Sequence, residues 1–274
     1  MTVRERGGLW TYRGLIWNFA QRDLKARFKG TALGWLWSLL VPLATLLIYS
    51  LVFSVIFRGA PPDFGSGRPG NFTVWLLAGL TAWTMFANSL GTAIGALLGA
   101  GPLLKKIYFP AYTPVLGSVI AVFIQSAIEL GILLFVLVLL GNVGWTWLLV
   151  PFWLALFAVF ISSISLVLSV LNVHFRDLSH IVGVAIQLLF YLSPIIYQIT
   201  LIPEHLSRFP AVPLRKLFEL NPLTQFIEVF RDLTYGLTPG SLKAWLYLIV
   251  WTAAVTGIAM RVYRARGLDL SEEL

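Results

Sequence analysis

Residues 114–140 read PVLGSVIAVFIQSAIELGILLFVLVLL, with Glu129 as the single ionisable side chain. A helix needs about 20 apolar residues to cross a hydrocarbon core roughly 30 Å thick, so this run can span a bilayer. Five more stretches behave alike: 33–57, 73–98, 146–171, 181–200 and 242–263. Composition agrees, with 58% hydrophobic and 12% charged residues, mean hydropathy +0.83 and about 25% charged residues expected of a soluble domain. Only helices or closed barrels satisfy their backbone in lipid, and these runs are too long for barrel strands. The expected fold is an all-α integral membrane protein with six transmembrane helices in one domain, its helical body at 33–264. Pro42 lies inside the first run and the second ends among glycines, so both are expected to kink or break.

Lys and Arg set the orientation. Of the 20 basic residues, 13 fall on one side of the expected spans: Arg4, Arg6, Arg13, Arg22, Lys25, Arg27 and Lys29 before the first, Lys105 and Lys106 after the second, Arg176 after the fourth, and Arg261, Arg264 and Arg266 at the end. The alternate loops hold Arg58 and Arg68, then none, then five spread over 203–243. Both termini therefore read as cytoplasmic in a multi-pass chain. The net charge of +8 is this topology signal, so no nucleic-acid partner is expected. No signal peptide is expected, because the first apolar run begins near residue 31 and is too long for one. With no cysteine in the chain, disulfides and thiolate metal sites are excluded.

Two segments are not simple spans. Residues 9–29 place Leu9, Tyr12, Leu15, Ile16, Phe19 and Ala20 on one helical face and Asn18, Gln21, Arg22, Lys25 and Lys29 on the other. Trp10 and Trp17 lie at the border, where indoles favour the lipid interface. This predicts an interfacial helix on the cytoplasmic leaflet, the alternative being a charged lead-in that only fixes topology. The external segment 201–241 is too long for a hairpin. In it Asn221-Pro222 pairs an N-cap with a proline at the first helical position. Leu223, Phe226, Ile227, Phe230 and Leu233 then share an apolar face, with Glu228, Arg231 and Asp232 away from it. Either a re-entrant helix or a short external one fits this pattern.

Inside the spans, Gly91, Gly95 and Gly99 form a small-xxx-small repeat suited to close packing within the chain or between subunits. Ser162, Ser165 and Ser169 are expected to hydrogen-bond within or between helices. Glu129, with Gln125 one turn earlier, reads either as a proton or substrate contact or as a neutral hydrogen-bonded packing group. No phosphate-binding loop occurs, and the dipeptide Gly-Lys is absent, so chemical energy must come from another polypeptide or an ion gradient. His174, His180 and His205 match no metalloenzyme spacing. No catalytic residue, metal site or cofactor is expected in the chain, although an envelope-synthesis membrane enzyme stays open as an alternative.

Five pieces carry a family resemblance. They are RDLKARFKGTALGWLW at 22–37 followed by Pro42, LLKKIYFP at 103–110, HFRD at 174–177, SPIIY at 193–197, and NPL at 221–223 with Phe230-Arg231. In this order the chain resembles the permease subunits of polysaccharide-exporting ABC transporters, which carry O-antigen, galactan, capsule or teichoic acid. The resemblance implies a homodimer in the bacterial cytoplasmic membrane, bound to two copies of a separate ATPase that holds ATP and Mg, and a lipid-linked polysaccharide as substrate. It implies an ATPase landing surface at 9–29 and about 99–110, with Arg22, Lys25, Lys105, Lys106, Tyr108 and Phe109 as contacts and Arg176-Asp177 in the second cytoplasmic loop. Two re-entrant helices precede the last span in that family, which makes Asn221, Pro222, Phe226, Phe230 and Arg231 a re-entrant gate.

The family's conduit lies between protomers and is lined by the first and fifth spans. Sugars present apolar C–H faces and hydroxyl edges, so exposed aromatic rings can stack on a sliding glycan without gripping it. Trp37, Tyr49, Phe190, Tyr191 and Tyr197 are the conduit candidates, with Gln187 and Ser193 as polar edges. Tyr191 and Tyr197 would be about 120° apart on one continuous helix, so only one is expected to face the lumen. Tyr197 is preferred, after the weakened Ser193-Pro194 step. Export of a drug or small lipid by the same architecture stays open.

The topology is checked in this cysteine-free chain by single substitutions and an impermeant thiol reagent. Lys106→Cys should label only from the cytoplasmic side and Arg208→Cys from outside; the reverse pattern would invert the orientation.

Overall fold

The computed structural model describes residues 10–52, 61–107, 109–205 and 213–266. Tyr108, Arg4, Arg6, Leu9, Arg58, Arg208 and the end of the first expected span lie outside the described residues. Among the described residues ten α-helices follow in order: α1 Arg13–Phe28, α2 Trp37–Ser50, α3 Phe72–Ala93, α4 Ala96–Leu104, α5 Tyr112–Leu139, α6 Val150–His174, α7 Leu178–Leu192, α8 Leu214–Glu219, α9 Pro222–Thr234 and α10 Leu242–Arg266.

Among the described residues, four helical stretches are long and apolar enough to cross a membrane: Phe72–Leu104, Tyr112–Leu139, Trp145–His174 and Leu242–Arg266. The other two runs form shorter apolar helices, α2 and α7. The fifth run, expected over 181–200, stops at Leu192. Pro194 lacks a backbone N–H and excludes helical geometry at Ser193, which is extended with φ −114° and ψ 137°. At 15 residues, α7 is about 22 Å long, and the chain then turns into the packed segment 193–202. The second run breaks between α3 and α4 at Ile94-Gly95, as its glycines suggested. Those glycines do not pack tightly, however: a Cβ at Gly91, Gly95 or Gly99 would meet nothing within 4 Å. Gly95 and Gly99 instead edge an open groove against α1.

The amphipathic face of α1 exists, but it is buried on protein. Ile16, Phe19, Ala20 and Leu24 are covered, while Asn18, Gln21, Arg22, Lys25 and Lys29 stay exposed. α1 runs alongside the first half of α5 in the same direction. Tyr12 meets Tyr112 edge to face at 6.3 Å, Phe19 sits over Gly117, Ser118 donates to Asp23, and Arg27 reaches Gln125 at 2.6 Å. The small residues Gly117 and Ala121 let the two backbones approach; a Cβ at Gly117 would lie 2.5 Å from that of Phe19.

The most enclosed element is α9, set among α3, α6 and α10. Leu223, Phe226, Ile227, Val229, Phe230 and Leu233 are each at most 2% exposed. Trp153 of α6 stacks against Phe230 at 4.5 Å and donates its indole N–H to the Phe226 carbonyl. Thr146 donates to the Leu233 carbonyl, and Asn142 to those of Thr234 and Tyr235. The carbonyls at the helix end are thus satisfied by side chains from the neighbouring loop. Along α6, Ser165 and Ser169 find no side-chain hydrogen bond among the described residues. Ser163 does instead, bonding the Val159 carbonyl and Thr256 of α10. The first two are fully covered, so their small size serves packing.

Docking of α1 on α5 is directly testable. An Ala20→Cys/Ala121→Cys pair should cross-link under mild oxidation, and adding Gly117→Leu should abolish the cross-link without reducing membrane insertion. Unchanged cross-linking in the triple variant would refute the close approach.

Candidate functional site

At the end of the molecule away from Lys105, the motifs at 193–197 and 221–231 come together. α9 starts with Asn221 as N-cap, its side chain accepting from Leu223 N at 3.0 Å while its amide donates to Ser193 Oγ at 3.1 Å. Nearly three turns on, Arg231 enters the interior, only 3% exposed. Its Nη1 donates to the Pro194 carbonyl at 2.7 Å and to Glu228 at 3.0 Å; Nη2 donates to the Ile195 carbonyl at 2.5 Å. The guanidinium lies 3.6 Å over the Trp75 ring. A buried charge needs this many partners to be tolerated. Gly79 makes the room, since a Cβ there would sit 2.2 Å from Nη2.

Asn221, Pro222, Phe226, Phe230 and Arg231, expected together at a gate, are therefore gathered around one anchored helix. Phe226 and Phe230 face the core, and Arg231 faces the broken end of α7. Sequence patterning placed Arg231 off the apolar face; the cation–π contact and the helix-end carbonyls bury it regardless.

The aromatic candidates divide. Tyr49 of α2 stacks on Phe190 of α7 with centroids 6.1 Å apart. Phe190 also meets Trp83 of α3 at 5.4 Å and Tyr191 at 5.3 Å. First and fifth runs thus share one aromatic cluster, in which Tyr191 is 60% exposed and Gln187 is exposed on the same helix. Ser193 is fully covered. Tyr197 is not on a helix with Tyr191, which removes the 120° relation: its hydroxyl donates back to the Tyr191 carbonyl at 2.6 Å, satisfying a group that the end of α7 leaves open. Trp37 lies apart, at a cavity between α2, α3 and α5.

At the opposite end, Lys105 and Arg176 line one cleft with Gly101 and Pro102, so the two basic loops meet. Lys105, Lys106, Arg176 and Asp177 are exposed. Phe109, expected as a surface contact, is 4% exposed and packs on Phe19 of α1 at 5.5 Å. Arg22 lies over the same Phe19 ring at 4.9 Å and pairs with Asp23 at 3.0 Å, while Lys25 points to solvent. Among the described residues no group of three or more His, Cys, Asp or Glu could hold a metal.

Among the described residues the body is all-helical, with two basic loops converging at one end and an anchored helix at the other. Residues 14–235 match the ABC-2 type transporter family, and the chain belongs to it. It is 28% identical over 273 residues to the O-antigen export system permease protein RfbA of Myxococcus xanthus, covering 99% of this chain and 98% of that one. A Klebsiella pneumoniae protein of the same name is 30% identical over 236 residues, 85% of each chain. The polysialic acid transport protein KpsM of Escherichia coli is 24% identical over 259 residues, 89% of this chain and 90% of that one.

Next to Arg231, burial and the nearby Glu228 raise the Asp232 carboxyl to about 6. The folded chain then keeps a proton that the unfolded chain releases near its ordinary value of 3.8, so this group's contribution to stability falls as pH rises from about 4 to 6. Asp232→Asn should match the parent protein near pH 4 and melt higher above pH 7. A gain of roughly 2–4 °C is what about 1 kcal/mol produces in a chain of this size. A pH-independent difference in melting temperature would reject the shifted carboxyl.

Proposed function

We propose that the chain is the membrane-spanning subunit of an ATP-driven exporter that moves an undecaprenyl-linked polysaccharide across the bacterial cytoplasmic membrane, through a conduit between two copies. The observation that carries this reading is similarity along almost the whole chain to permeases named for O-antigen export. Both termini and the loops around Lys105 and Arg176 face the cytoplasm, on the positive-inside distribution. ATP and Mg are held by a separate ATPase subunit, two copies per dimer.

The geometry suits these roles. Lys105, Lys106 and Arg176 offer a basic, exposed landing surface. Phe109 and Phe19 lock that surface to α1, and α1 lies along α5. A push on the loop is therefore delivered to a long membrane helix through packed side chains. α2 and α7 carry exposed apolar faces, with Val41, Leu47, Ile181, Val184 and Leu188 all uncovered. These two helices meet the second copy and line the conduit. Tyr49, Phe190 and Tyr191 give it an aromatic wall able to touch sugar faces weakly and repeatedly. The anchored α9 closes its outer end.

The test is biochemical. An ATPase should co-purify with the chain, and Lys105→Glu/Lys106→Glu should lower its retention or uncouple hydrolysis from export by at least about tenfold, given several reversed contacts at an interface. Membrane insertion should be unchanged. Normal export with an intact ATPase complex in the double variant would overturn the landing surface.

A further inference from the structure

A cavity of about 310 Å³ lies between α2, α3 and α5, within the span-forming lengths of α3 and α5 and at the small end of the range for ligand pockets. Glu129 lines it, 5% exposed. Its Oε2 accepts from Thr84 Oγ1 at 2.7 Å; Oε1 has no hydrogen-bond partner among the described residues. Asn88 follows Thr84 by one turn on α3, and Gln125 precedes Glu129 by one turn on α5, so two helices turn matched polar stripes to the same space. Gln125 Oε1 is taken by Arg27 at 2.6 Å, which orients its amide, while the exposed Asn88 side chain is unpartnered among the described residues. Leu77 and Leu80 form an apolar wall. On the α2 side, Trp37 and Val41 are 46% and 55% exposed.

An ionisable group placed this deep is costly, and polar residues there mark a ligand path. A metal cage is a poor match, because hard cations gather six or more oxygens and one carboxylate beside two amides supplies few. A proton path is a poor match too, because among the described residues Glu129 is the single titratable side chain lining the cavity. Carboxylate and primary amide groups side by side can accept from and donate to neighbouring hydroxyls, and an indole at the rim can cover a C–H face. That combination is the chemistry of a pyranose ring.

We propose that this cavity is a saccharide subsite: Glu129, Gln125 and Asn88 hydrogen-bond the hydroxyls of one sugar unit, and Trp37 covers its apolar face. The assignment rests on the polysaccharide-export reading and deepens it. Each protomer holds a sugar behind α2, beside the conduit, so the chain is caught by hydroxyl pattern before it slides along the aromatic wall. Binding here sets which glycans are accepted, whereas the aromatic cluster tolerates any.

The experiment places a photoreactive benzophenone amino acid at Val41, and at Val250 of α10 as a control, in cells making their own lipid-linked glycan. After irradiation the purified chain is analysed for attached sugar by mass spectrometry, and glycan export is measured in the same cells. A sugar-bearing adduct is expected at position 41 and none at 250. Asn88→Leu and Glu129→Ala should each lower the adduct about tenfold, as loss of a hydrogen bond to the bound sugar does. Glu129→Gln, which still accepts and donates, should stay within about threefold. Because Asn88 is exposed and unpartnered among the described residues, its replacement leaves the fold intact. Normal export with only phospholipid or nothing attached at position 41 overturns the subsite and leaves the exporter reading standing, as does an adduct unchanged in both Asn88→Leu and Glu129→Ala. Export that continues when the chain is absent overturns both.

Discussion

Arg231 decides how the end of the molecule away from Lys105 is built. A guanidinium withdrawn from solvent is tolerated only where enough acceptors converge, and this one takes two carbonyls, a carboxylate and an aromatic face. These partners come from three separate pieces of chain. Trp75 and Gly79 belong to α3, Glu228 to the same turn of α9, and the carbonyls to the step where α7 ends at Pro194. That step exposes backbone acceptors inside an apolar surround, a cost that would forbid it without a donor. Break and donor therefore require each other. Removing the guanidinium would strand two carbonyls; restoring the helix through residue 194 would strand the charge.

With that end fixed, the rest of the molecule divides into a rigid part and parts left open. α9 with α3, α6 and α10 forms a dense core rich in aromatic rings. α2 and α7 contact this core along narrow lines and leave apolar faces bare. The basic end is the converse, with charged side chains exposed over a loop that Phe109 pins to α1. In the proposed exporter, a stiff frame of this kind would carry force between the landing surface and helices free to shift.

Much of this was legible in the sequence because a bilayer imposes lengths. Runs such as 114–140 and 146–171 coincide with α5 and α6 to within a few residues, and Asn221-Pro222 marks the start of α9. The features that were not legible depend on partners distant in sequence. Periodicity put Arg231 on a polar face, since nothing local records that Trp75 and a broken helix lie opposite. The apolar face of α1 read as a lipid-facing one; Gly117 and Ala121, which turn it onto protein, lie about 100 positions away. The Gly91-Gly95-Gly99 repeat had the pattern of a close contact but borders open space, because close approach needs a second helix on that side. Tyr197 read as a lumen residue on a continuous helix, until Pro194 ended the helix and left its hydroxyl to cap the end.

The proposed cargo crossing the membrane through this chain is a lipid-linked glycan. Mass spectrometry of the lipid fraction from cells depleted of the protein, combined with an enzyme that trims sugars only from the accessible leaflet of sealed vesicles, measures this directly. A polyprenyl-linked polysaccharide should accumulate and be trimmed only where the cytoplasmic leaflet faces outward. A normal lipid-linked pool in depleted cells, or one already in the outer leaflet, would contradict it.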